Sequence, residues 1–258
     1  MSDAKFASYP SLKGTSVLVS GGATGIGESL VTAFAQQGAK VGFVDIAAGP
    51  ARALEAKLNA AGGTVSFIEC DITDTAAYRA AIAVFAKAHG PAQVLVNNAA
   101  FDQRHEWDKV TPEDWDKLIG VNVKHFFFAI QACAPAMIAA GKGSIINFGS
   151  IAWMIKAENL PVYESAKAAA HGLTRSMSHT LGKHGVRVNT LVPGWIMTER
   201  QLTLWVGPEE NKLIDANQAL RGRVYPVDVA NMALFLGADD SRMLSAQQFV
   251  VDGGWANA

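Results

Sequence analysis

Seven short apolar runs recur along the chain, and longer segments with helical periodicity separate them. The runs are apolar at nearly every position, which is typical of parallel strands covered on both faces. Between the runs, apolar side chains return every fourth residue, as in Ile26, Leu30 and Phe34. The pattern predicts an α/β fold: a doubly wound parallel sheet of about seven strands with helices on both faces. The predicted strands are residues 16–20, 40–45, 65–70, 93–98, 144–149, 186–192 and 247–252.

No linker, repeat or low-complexity segment interrupts this series, so we expect residues 1–258 to form a single domain. The 258 residues are 50% hydrophobic, and the formal net charge is −1. This balance lacks the basic footprint of a nucleic-acid or anionic-membrane partner. The N-terminus is polar, and no apolar window is expected to approach the length of a membrane span. We therefore expect a soluble, cytoplasmic protein.

Cysteine and histidine form no metal-ligand pattern in the sequence. Cys70 and Cys133 have no ligand spacing, and two cysteines do not make a disulfide framework, which favours a reducing compartment. The six histidines are not clustered. We expect no metal site.

A glycine-rich stretch, VSGGATGIGESL at residues 18–29, joins the first predicted strand to the first predicted helix. Glycine lets a ligand approach the backbone closely, and a helix N-terminus offers unpaired N–H groups that suit a pyrophosphate. Gly27 would also let the helix pack closely on the sheet. On its own, the loop could equally be a tight turn without a ligand.

Two aspartates at strand ends favour a dinucleotide. Asp45 ends the second predicted strand, where a carboxylate can bind a ribose diol, although a solvated strand-end aspartate is the alternative. Ile46 follows it, and no arginine or lysine stands beside it to neutralise a 2′-phosphate, so NAD is favoured over NADP. Asp71 ends the third strand and could meet an adenine amino group or cap the following helix.

Four motifs in this order resemble the short-chain dehydrogenase/reductase family. They are GGATGIG in the glycine loop, NNAA at 97–100, Ser150 followed by YESAK at 163–167, and PGWIMT at 193–198. The resemblance covers nearly the whole chain and implies a Rossmann-type fold and an NAD(P)-dependent oxidoreductase acting on a CH–OH group.

Two positions depart from the family pattern. Ser20 stands where threonine is usual and still supplies a hydroxyl group. Ala100 stands where glycine is usual, which could shift the backbone near the nicotinamide.

The resemblance implies four catalytic residues, Ser150, Tyr163, Lys167 and Asn122. Tyr163 and Lys167 are four positions apart in a helical pattern and share a face, where the ammonium group is expected to lower the pKa of the phenol. Without the family context they could be a surface pair. Tyr163 would act as general base in oxidation, and Ser150 would stabilise the reacting oxygen. Asn122 would position the lysine through water.

The same resemblance implies a set of residues that hold the cofactor from the phosphates to the nicotinamide. Lys167 is expected on the nicotinamide ribose, and the segment after Pro193 on the carboxamide. The expected set is Gly21, Ala23, Thr24, Gly25, Ile26, Gly27, Asp45, Ile46, Asp71, Ile72, Asn98, Ala99, Tyr163, Lys167, Pro193, Ile196 and Thr198.

Three variable loops carry the candidates for substrate recognition: residues 101–107, 151–160 and 193–206, the last within an expected lid near 193–215. Their polar groups and indole rings suit a small polyol ring better than a steroid or an acyl chain. Many of these side chains could equally point to solvent. The candidates are Asp102, Arg104, Trp153, Asn159, Trp195, Arg200 and Gln201.

Within the family, the segments DQRHEW, INFGSIAW and VPGWIMTERQ look similar to the bacterial NAD-dependent aldose 1-dehydrogenases. That similarity implies oxidation of the anomeric hydroxyl of a pentose or hexose to the aldonolactone. A polyol, hydroxyacid or oxoacyl substrate is an alternative on the same fold. A non-catalytic NAD-binding protein is a third reading, which the intact Ser150, Tyr163 and Lys167 disfavour. The family also implies a homotetramer.

Overall fold

The computed structural model describes residues 7–256, and a seven-stranded sheet lies at its centre. The strands are β1 (Ser16–Ser20), β2 (Lys40–Asp45), β3 (Thr64–Glu69), β4 (Val94–Asn97), β5 (Gly143–Phe148), β6 (Val186–Pro193) and β7 (Gln248–Val251). Neighbouring strands are parallel, in the order β3-β2-β1-β4-β5-β6-β7. This sheet confirms the predicted fold class, and each strand end lies within one residue of its predicted position.

Helices connect the strands. They are α1 (Gly25–Gln36), α2 (Ala48–Ala60), α3 (Thr75–His89), α4 (Pro112–Ile119), α5 (His125–Ala140), α6 (Ala152–Ile155), α7 (Pro161–Gly182), α8 (Glu199–Leu204), α9 (Pro208–Asn217) and α10 (Pro226–Gly237). The first helix begins at Gly25, where the glycine loop predicted it.

Two apolar layers hold the helices on the sheet. On one face, α1, α2 and α10 cover β1 and β2 around the buried Phe34 and Phe43. On the other face, α3, α5 and α7 pack around the buried Phe85 and Ile130. Because both faces of the sheet are covered, the strands need no polar alternation, which explains the continuous apolar runs.

The strand order reverses between β1 and β4, which are neighbours in the sheet. The chain leaves β1 towards β2 on one side and leaves β4 towards β5 on the other side. The loops after these two strands therefore diverge and open a crevice at the carboxyl ends of the strands, where open α/β sheets bind their ligands.

The stretch Pro112–Ala140 is helical throughout, because a π-helical turn at Gly120–Lys124 joins α4 to α5. By length and composition this stretch could cross a membrane, with a mean hydropathy of 1.4 over its most apolar window. The prediction that no window approaches a membrane span is therefore wrong. A core helix meets the same criterion, and α5 packs on β4 and β5 and buries Phe126 and Met137.

Candidate active site

The glycine loop after β1 forms a turn in which side chains are excluded. Gly21 and Gly25 have left-handed backbones, with φ of 69° and 59°. A Cβ atom on Gly27 would lie 1.7 Å from the carbonyl oxygen of Gly21, so the first turn of α1 packs directly on the loop. The backbone N–H groups at the start of α1 thereby face the crevice without side chains over them, which is the cradle that a pyrophosphate requires.

The Asp45 carboxylate lies beside this loop at the end of β2. Its Oδ2 accepts a hydrogen bond from the Ala23 N–H at 2.9 Å, and its Oδ1 accepts one from the Ala47 N–H at 2.9 Å. These bonds fix the carboxylate at the rim of the crevice, next to Ile46, which is 72% exposed. Asp71 also lines the crevice, and its Oδ1 accepts bonds from the N–H and hydroxyl groups of Thr73 at 2.8 and 2.7 Å.

The loop after β4 is tied to the loop after β1. The Ser20 hydroxyl accepts hydrogen bonds from the N–H groups of Asn98 and Ala99 at 3.1 and 3.2 Å. Asn98 donates in turn to the Gly21 carbonyl at 2.8 Å. The hydroxyl group that Ser20 supplies in place of the usual threonine therefore bridges the two loops. Ala100 lines the crevice and does not have a positive φ, so alanine fits there without backbone strain.

Ser150 and Tyr163 meet at the centre of the crevice. Ser150 follows β5, Tyr163 lies in the first turn of α7, and the Ser150 hydroxyl is near enough to the phenol to favour its ionised form. Burial raises the pKa of Tyr163 to about 12, and the nearby Ser150 hydroxyl acts in the opposite direction. A reacting alcohol that entered here would meet two hydroxyl groups at once.

Lys167 lies one helical turn beyond Tyr163 and is 1% exposed. Its Nζ donates to the Phe148 carbonyl at 3.0 Å and lies 5.6 Å from the centroid of the Tyr163 ring. Burial lowers the pKa of Lys167 to about 7, against the opposing influence of Asp102. The expectation that the ammonium lowers the tyrosine pKa fails in this arrangement, because desolvation of the phenol dominates.

Asn122 is fully buried in the π-helical turn, and its amide holds the start of the loop after β4. Its Oδ1 accepts from the Phe101 N–H at 2.9 Å, and its Nδ2 donates to the carbonyls of Phe101 and Leu118 at 3.1 and 3.0 Å. The side chain makes no direct hydrogen bond to Lys167 and holds the substrate-side loop; its expected contact with the lysine through water stays a prediction.

The segment after β6 closes the crevice opposite the glycine loop. Pro193, Ile196 and Thr198 all line the crevice, and Thr198 caps α8 by accepting from the Gln201 N–H at 3.2 Å. A Cβ atom on Gly25 would lie 3.2 Å from the Thr198 methyl group, so the two walls are close at this point.

Polar side chains of two substrate-side loops meet beside the Ser150–Tyr163 pair. The Asp102 carboxylate accepts from Gln201 Nε2 at 2.6 Å and from Arg200 Nε at 3.3 Å. Gln201 Oε1 accepts from the Trp195 indole N–H at 2.9 Å. The Arg104 guanidinium lies over the Trp205 ring, 4.6 Å from its centroid. Residues that were predicted one by one as substrate contacts thus form a single network of contacting side chains.

The third loop is only partly in the site. Asn159 lines the crevice with a left-handed backbone, φ 61°, and its carbonyl accepts from the His105 N–H at 2.8 Å. Trp153 does not line the crevice: it lies in the short helix α6, which turns it away from the cavity. The prediction of Trp153 as a substrate residue therefore finds no support in the geometry.

Two contributors to the site were missed. His105 joins two loops, since its Nε2 accepts from the Val162 N–H at 3.2 Å while its own N–H bonds Asn159. Trp255 lines the crevice and packs on Trp195, with ring centroids 6.3 Å apart. No local pattern could signal either residue, because both act through partners distant in sequence.

The crevice has the size and the features that a dinucleotide needs. Its volume of about 2370 Å³ exceeds that of a pocket for one small molecule, and it runs from Asp45 past the glycine loop to Tyr163. The start of α1 offers a backbone cradle, and a Cβ at Gly27 would force the helix away from the loop that forms it. Among residues 7–256, no group of three or more histidine, cysteine, aspartate or glutamate side chains is placed to hold a metal ion.

The chain is similar to known sugar-oxidising proteins over almost its full length. A family model described as enoyl-(acyl carrier protein) reductase matches residues 21–256. D-xylose 1-dehydrogenase of Caulobacter vibrioides is 44% identical over 247 residues, which cover 96% of this chain and 98% of that protein. A probable galactose dehydrogenase of Rhizobium meliloti is also 44% identical over 247 residues, covering 95% and 96%.

A solved structure extends the similarity to three dimensions. The gluconate 5-dehydrogenase of Burkholderia cenocepacia, in complex with NADP and tartrate, matches with a TM-score of 0.90 at 29% identity and covers 96% of this chain and 98% of that one. The chain belongs to the short-chain dehydrogenase/reductase family. Membership confirms the prediction of an NAD(P)-dependent oxidoreductase that acts on a CH–OH group.

Proposed function

We propose that this protein oxidises the anomeric hydroxyl group of an aldose, a pentose or a hexose, to the aldonolactone, with NAD as hydride acceptor. The observation that carries the proposal is the polar network of Asp102, Arg200 and Gln201 in the same crevice as the Ser150 and Tyr163 hydroxyl groups, near enough for the Asp102 charge to act on Tyr163. A cyclic sugar presents hydroxyl groups around its reacting carbon, and this network supplies partners for them. The two sugar dehydrogenases that are 44% identical support the same substrate class.

In this proposal, the chain's own groups handle the oxygen and the proton. Ser150 donates a hydrogen bond to the reacting oxygen, and Tyr163 takes the proton of the anomeric hydroxyl as its own phenolic proton passes to the uncharged amine of Lys167. Because the pKa of Lys167 is about 7, its amine can gain or lose a proton near neutral pH and so assist that transfer. The nicotinamide, when bound, accepts the hydride, which is chemistry that the cofactor supplies.

The residues that would hold the cofactor follow the crevice. The glycine loop would hold the pyrophosphate, Asp45 the adenosine ribose, Asp71 and Ile72 the adenine, and Asn98 and Ala99 the middle of the molecule. Pro193, Ile196 and Thr198 would hold the nicotinamide side. These positions remain part of the proposal.

NAD rather than NADP is favoured by the charge at Asp45. A fixed carboxylate, with the neutral Ile46 next to it, repels a 2′-phosphate and accepts hydrogen bonds from a free diol. Asp45→Ala combined with Ile46→Arg should raise the NADP/NAD ratio of kcat/KM at least about tenfold. Ile46→Gln serves as the neutral control. An unchanged ratio in the double variant would remove Asp45 from the cofactor site.

Substrate contacts are assigned to side chains that line the crevice near Tyr163. They are Asp102, Arg104, Asn159, Trp195, Arg200 and Gln201. Replacing Asn159, Arg104 and Gln201 together with alanine should lower kcat/KM for aldoses and change their ranking. If kcat/KM stayed unchanged for every aldose, this assignment would be wrong.

The function is tested by following NADH formation with a panel of aldoses, polyols and hydroxyacids. We expect rapid turnover of one or two aldoses, and mass spectrometry should show the lactone or its hydrolysed acid as product. Turnover of a polyol or hydroxyacid, with every aldose silent, would refute the sugar assignment. Binding of NADH without turnover of any alcohol would favour a binding protein.

A homotetramer and a cytoplasmic location complete the proposal. The helix α4–α5 exposes Trp115 and Phe127, at 46% and 42%, and apolar helix faces of this kind support subunit contacts. Light scattering should give a mass about four times the 27.3 kDa of the chain. The free thiols of Cys70 and Cys133 are consistent with a reducing compartment.

A further inference from the structure

The C-terminal segment after β7 folds back against the substrate side of the crevice. Asp252 is buried, and its carboxylate accepts hydrogen bonds from the N–H groups of Gly254 and Ala256 at 2.8 and 2.7 Å. The Gly253 carbonyl accepts from the Leu220 N–H at 2.9 Å. Both ends of this short turn are therefore fixed, and the residue between them, Trp255, has a defined position.

Trp255 is 9% exposed and belongs to an apolar cluster separate from the two main cores. The other buried members come from the loop after Ser150, from β6 and from the region of α8 and α9: Ile151, Val192, Met197 and Ile214. Trp255 thus packs where segments flanking the substrate side of the crevice converge, and it also lines the crevice itself.

The tail and the segment after β6 approach each other at backbone distance. The Gly194 N–H donates to the Val251 carbonyl at 2.9 Å, and a Cβ atom on Gly194 would lie 2.6 Å from the Asp252 Cβ. Since no side chain fits between these two backbone segments, the Trp195 ring packs directly against the Trp255 ring. Their ring centroids are 6.3 Å apart with an interplanar angle of 33°.

Trp195 connects Trp255 to the polar network of Gln201 and Asp102. Its indole N–H bonds Gln201 Oε1, and Gln201 Nε2 bonds the Asp102 carboxylate. A rotation of the Trp195 ring would break the first of these bonds and leave the Gln201 amide held by Asp102 without the indole. The position of the Asp102–Gln201 pair therefore depends on the surface against which Trp195 rests.

We propose that Trp255 is a positioning residue that sets substrate choice, because it holds Trp195 and, through it, Gln201 and Asp102 against the reacting centre. The identity of the substrate as a polar ring rests on the proposed function, whereas the role of the C-terminal tail does not. The substrate it helps to select is a small polyhydroxylated ring, whose hydroxyl groups need acceptors in fixed places.

The test compares Trp255→Ala, Trp255→Phe and Trp255→Leu with Met243→Ala, a control at an 83%-exposed apolar side chain outside the crevice. The wild-type protein is first assayed on the alcohol panel, and the variants are then assayed on its best substrates. In Trp255→Ala we expect the KM for the sugar to rise about tenfold and the ratios of kcat/KM between different sugars to become smaller. The kcat and the NADH dissociation constant should change little. Trp255→Phe should restore most of the wild-type KM, and Met243→Ala should leave it unchanged.

Wild-type KM and wild-type discrimination in a folded Trp255→Ala variant would overturn the proposal. A parallel loss of NADH affinity and sugar affinity would also overturn the proposal, because that result would mean that Trp255 has a general structural role. If Trp255→Ala does not fold, the Phe and Leu variants decide, since equal sugar KM values for the two would exclude a role for the ring. An inactive wild type on all aldoses would count against the proposed function alone, because the same comparison can be made on whichever alcohol is oxidised.

Discussion

The two halves of the crevice are built in different ways. The cofactor half is formed mainly by backbone: the glycine loop, the N–H groups that fix Asp45, and the bonds of Ser20 to the next loop. The substrate half is formed by side chains that reach one another across loops distant in sequence, such as Asp102 and Gln201, which are 99 residues apart. Backbone contacts tolerate almost no substitution, whereas side-chain networks can be changed one group at a time. This difference explains how proteins with this fold can share a cofactor site and still differ in their substrates.

The largest expected effect lies where the two halves meet, at Tyr163. Tyr163→Phe removes the hydroxyl group beside Ser150 and should lower kcat about 10³-fold, since general acid–base catalysis contributes effects of that order. NADH binding, measured by fluorescence titration, should remain. Tyr9→Phe is the matched control, because Tyr9 packs on Phe235 and does not line the crevice. Turnover that survives in Tyr163→Phe would contradict the catalytic assignment.

The next effect tests the rigidity of the cofactor half. Gly27→Ala places a methyl group 1.7 Å from the Gly21 carbonyl oxygen, so the loop or the helix must move, at a cost of about 3 kcal/mol. Thermal unfolding should show a large loss of stability, together with weak NADH binding. Gly49→Ala, in α2, meets nothing within 4 Å and should leave stability unchanged or slightly raised. Equal behaviour of the two variants would mean that the glycine loop is not tightly packed.

A third effect concerns His125, which lies where the cofactor half and the substrate half of the crevice meet. Its Nε2 is hydrogen-bonded to the Ala99 carbonyl at 3.2 Å. Burial lowers the pKa of His125 to about 3, so the unfolded chain binds more protons than the folded chain between pH 3 and 6.5. Stability should therefore fall on acidification below the ordinary histidine pKa, by about 2 kcal/mol between pH 6.5 and 5.

Denaturant unfolding at several pH values checks this slope. His125→Asn should flatten the stability profile over that range, whereas His179→Asn, at an exposed position, should not. The same slope in wild type and His125→Asn would assign the acid sensitivity to other groups.

The smallest effect tests the substrate half. Asp102→Asn and Gln201→Ala should each raise the sugar KM, and a double-mutant cycle should give a coupling of about 1 kcal/mol for their hydrogen bond. The KM for NAD should not change, because neither side chain belongs to the backbone-built half. Additive effects would mean that the two residues act separately. The ion pair of Asp102 with Arg200 should add little, since both side chains are partly exposed to solvent.

Much of the fold and of the cofactor half follows from short-range patterns. Continuous apolar runs predict buried parallel strands, and Gly21, Gly25 and Gly27 mark a tight turn because local sterics decide which residues such a turn accepts. The Ser150–Tyr163–Lys167 set was implied by the resemblance of the ordered motifs to the short-chain dehydrogenase/reductase family.

What the sequence left open depends on contacts between distant segments. Trp153 was expected near the substrate because it follows Ser150, yet the turn into α6 directs it elsewhere. The burial of Tyr163 and Lys167 overrides the charge effect that their spacing suggests. Trp255 gives no signal of its own, since its role arises only when the tail folds onto the segment after β6.

The burial of Lys167 also has a consequence for chemical durability. An amine with a pKa of about 7 is uncharged for much of the time at neutral pH, and the uncharged amine is the form that attacks aldehydes. Aldoses in solution open to aldehydes, so an exposed amine of this kind would be glycated by the sugar that the enzyme is proposed to oxidise. Lys167 is 1% exposed, and its nitrogen donates to the Phe148 carbonyl. The fold thus keeps a reactive amine beside the ring form of the sugar while shielding it from the open-chain form in bulk solvent.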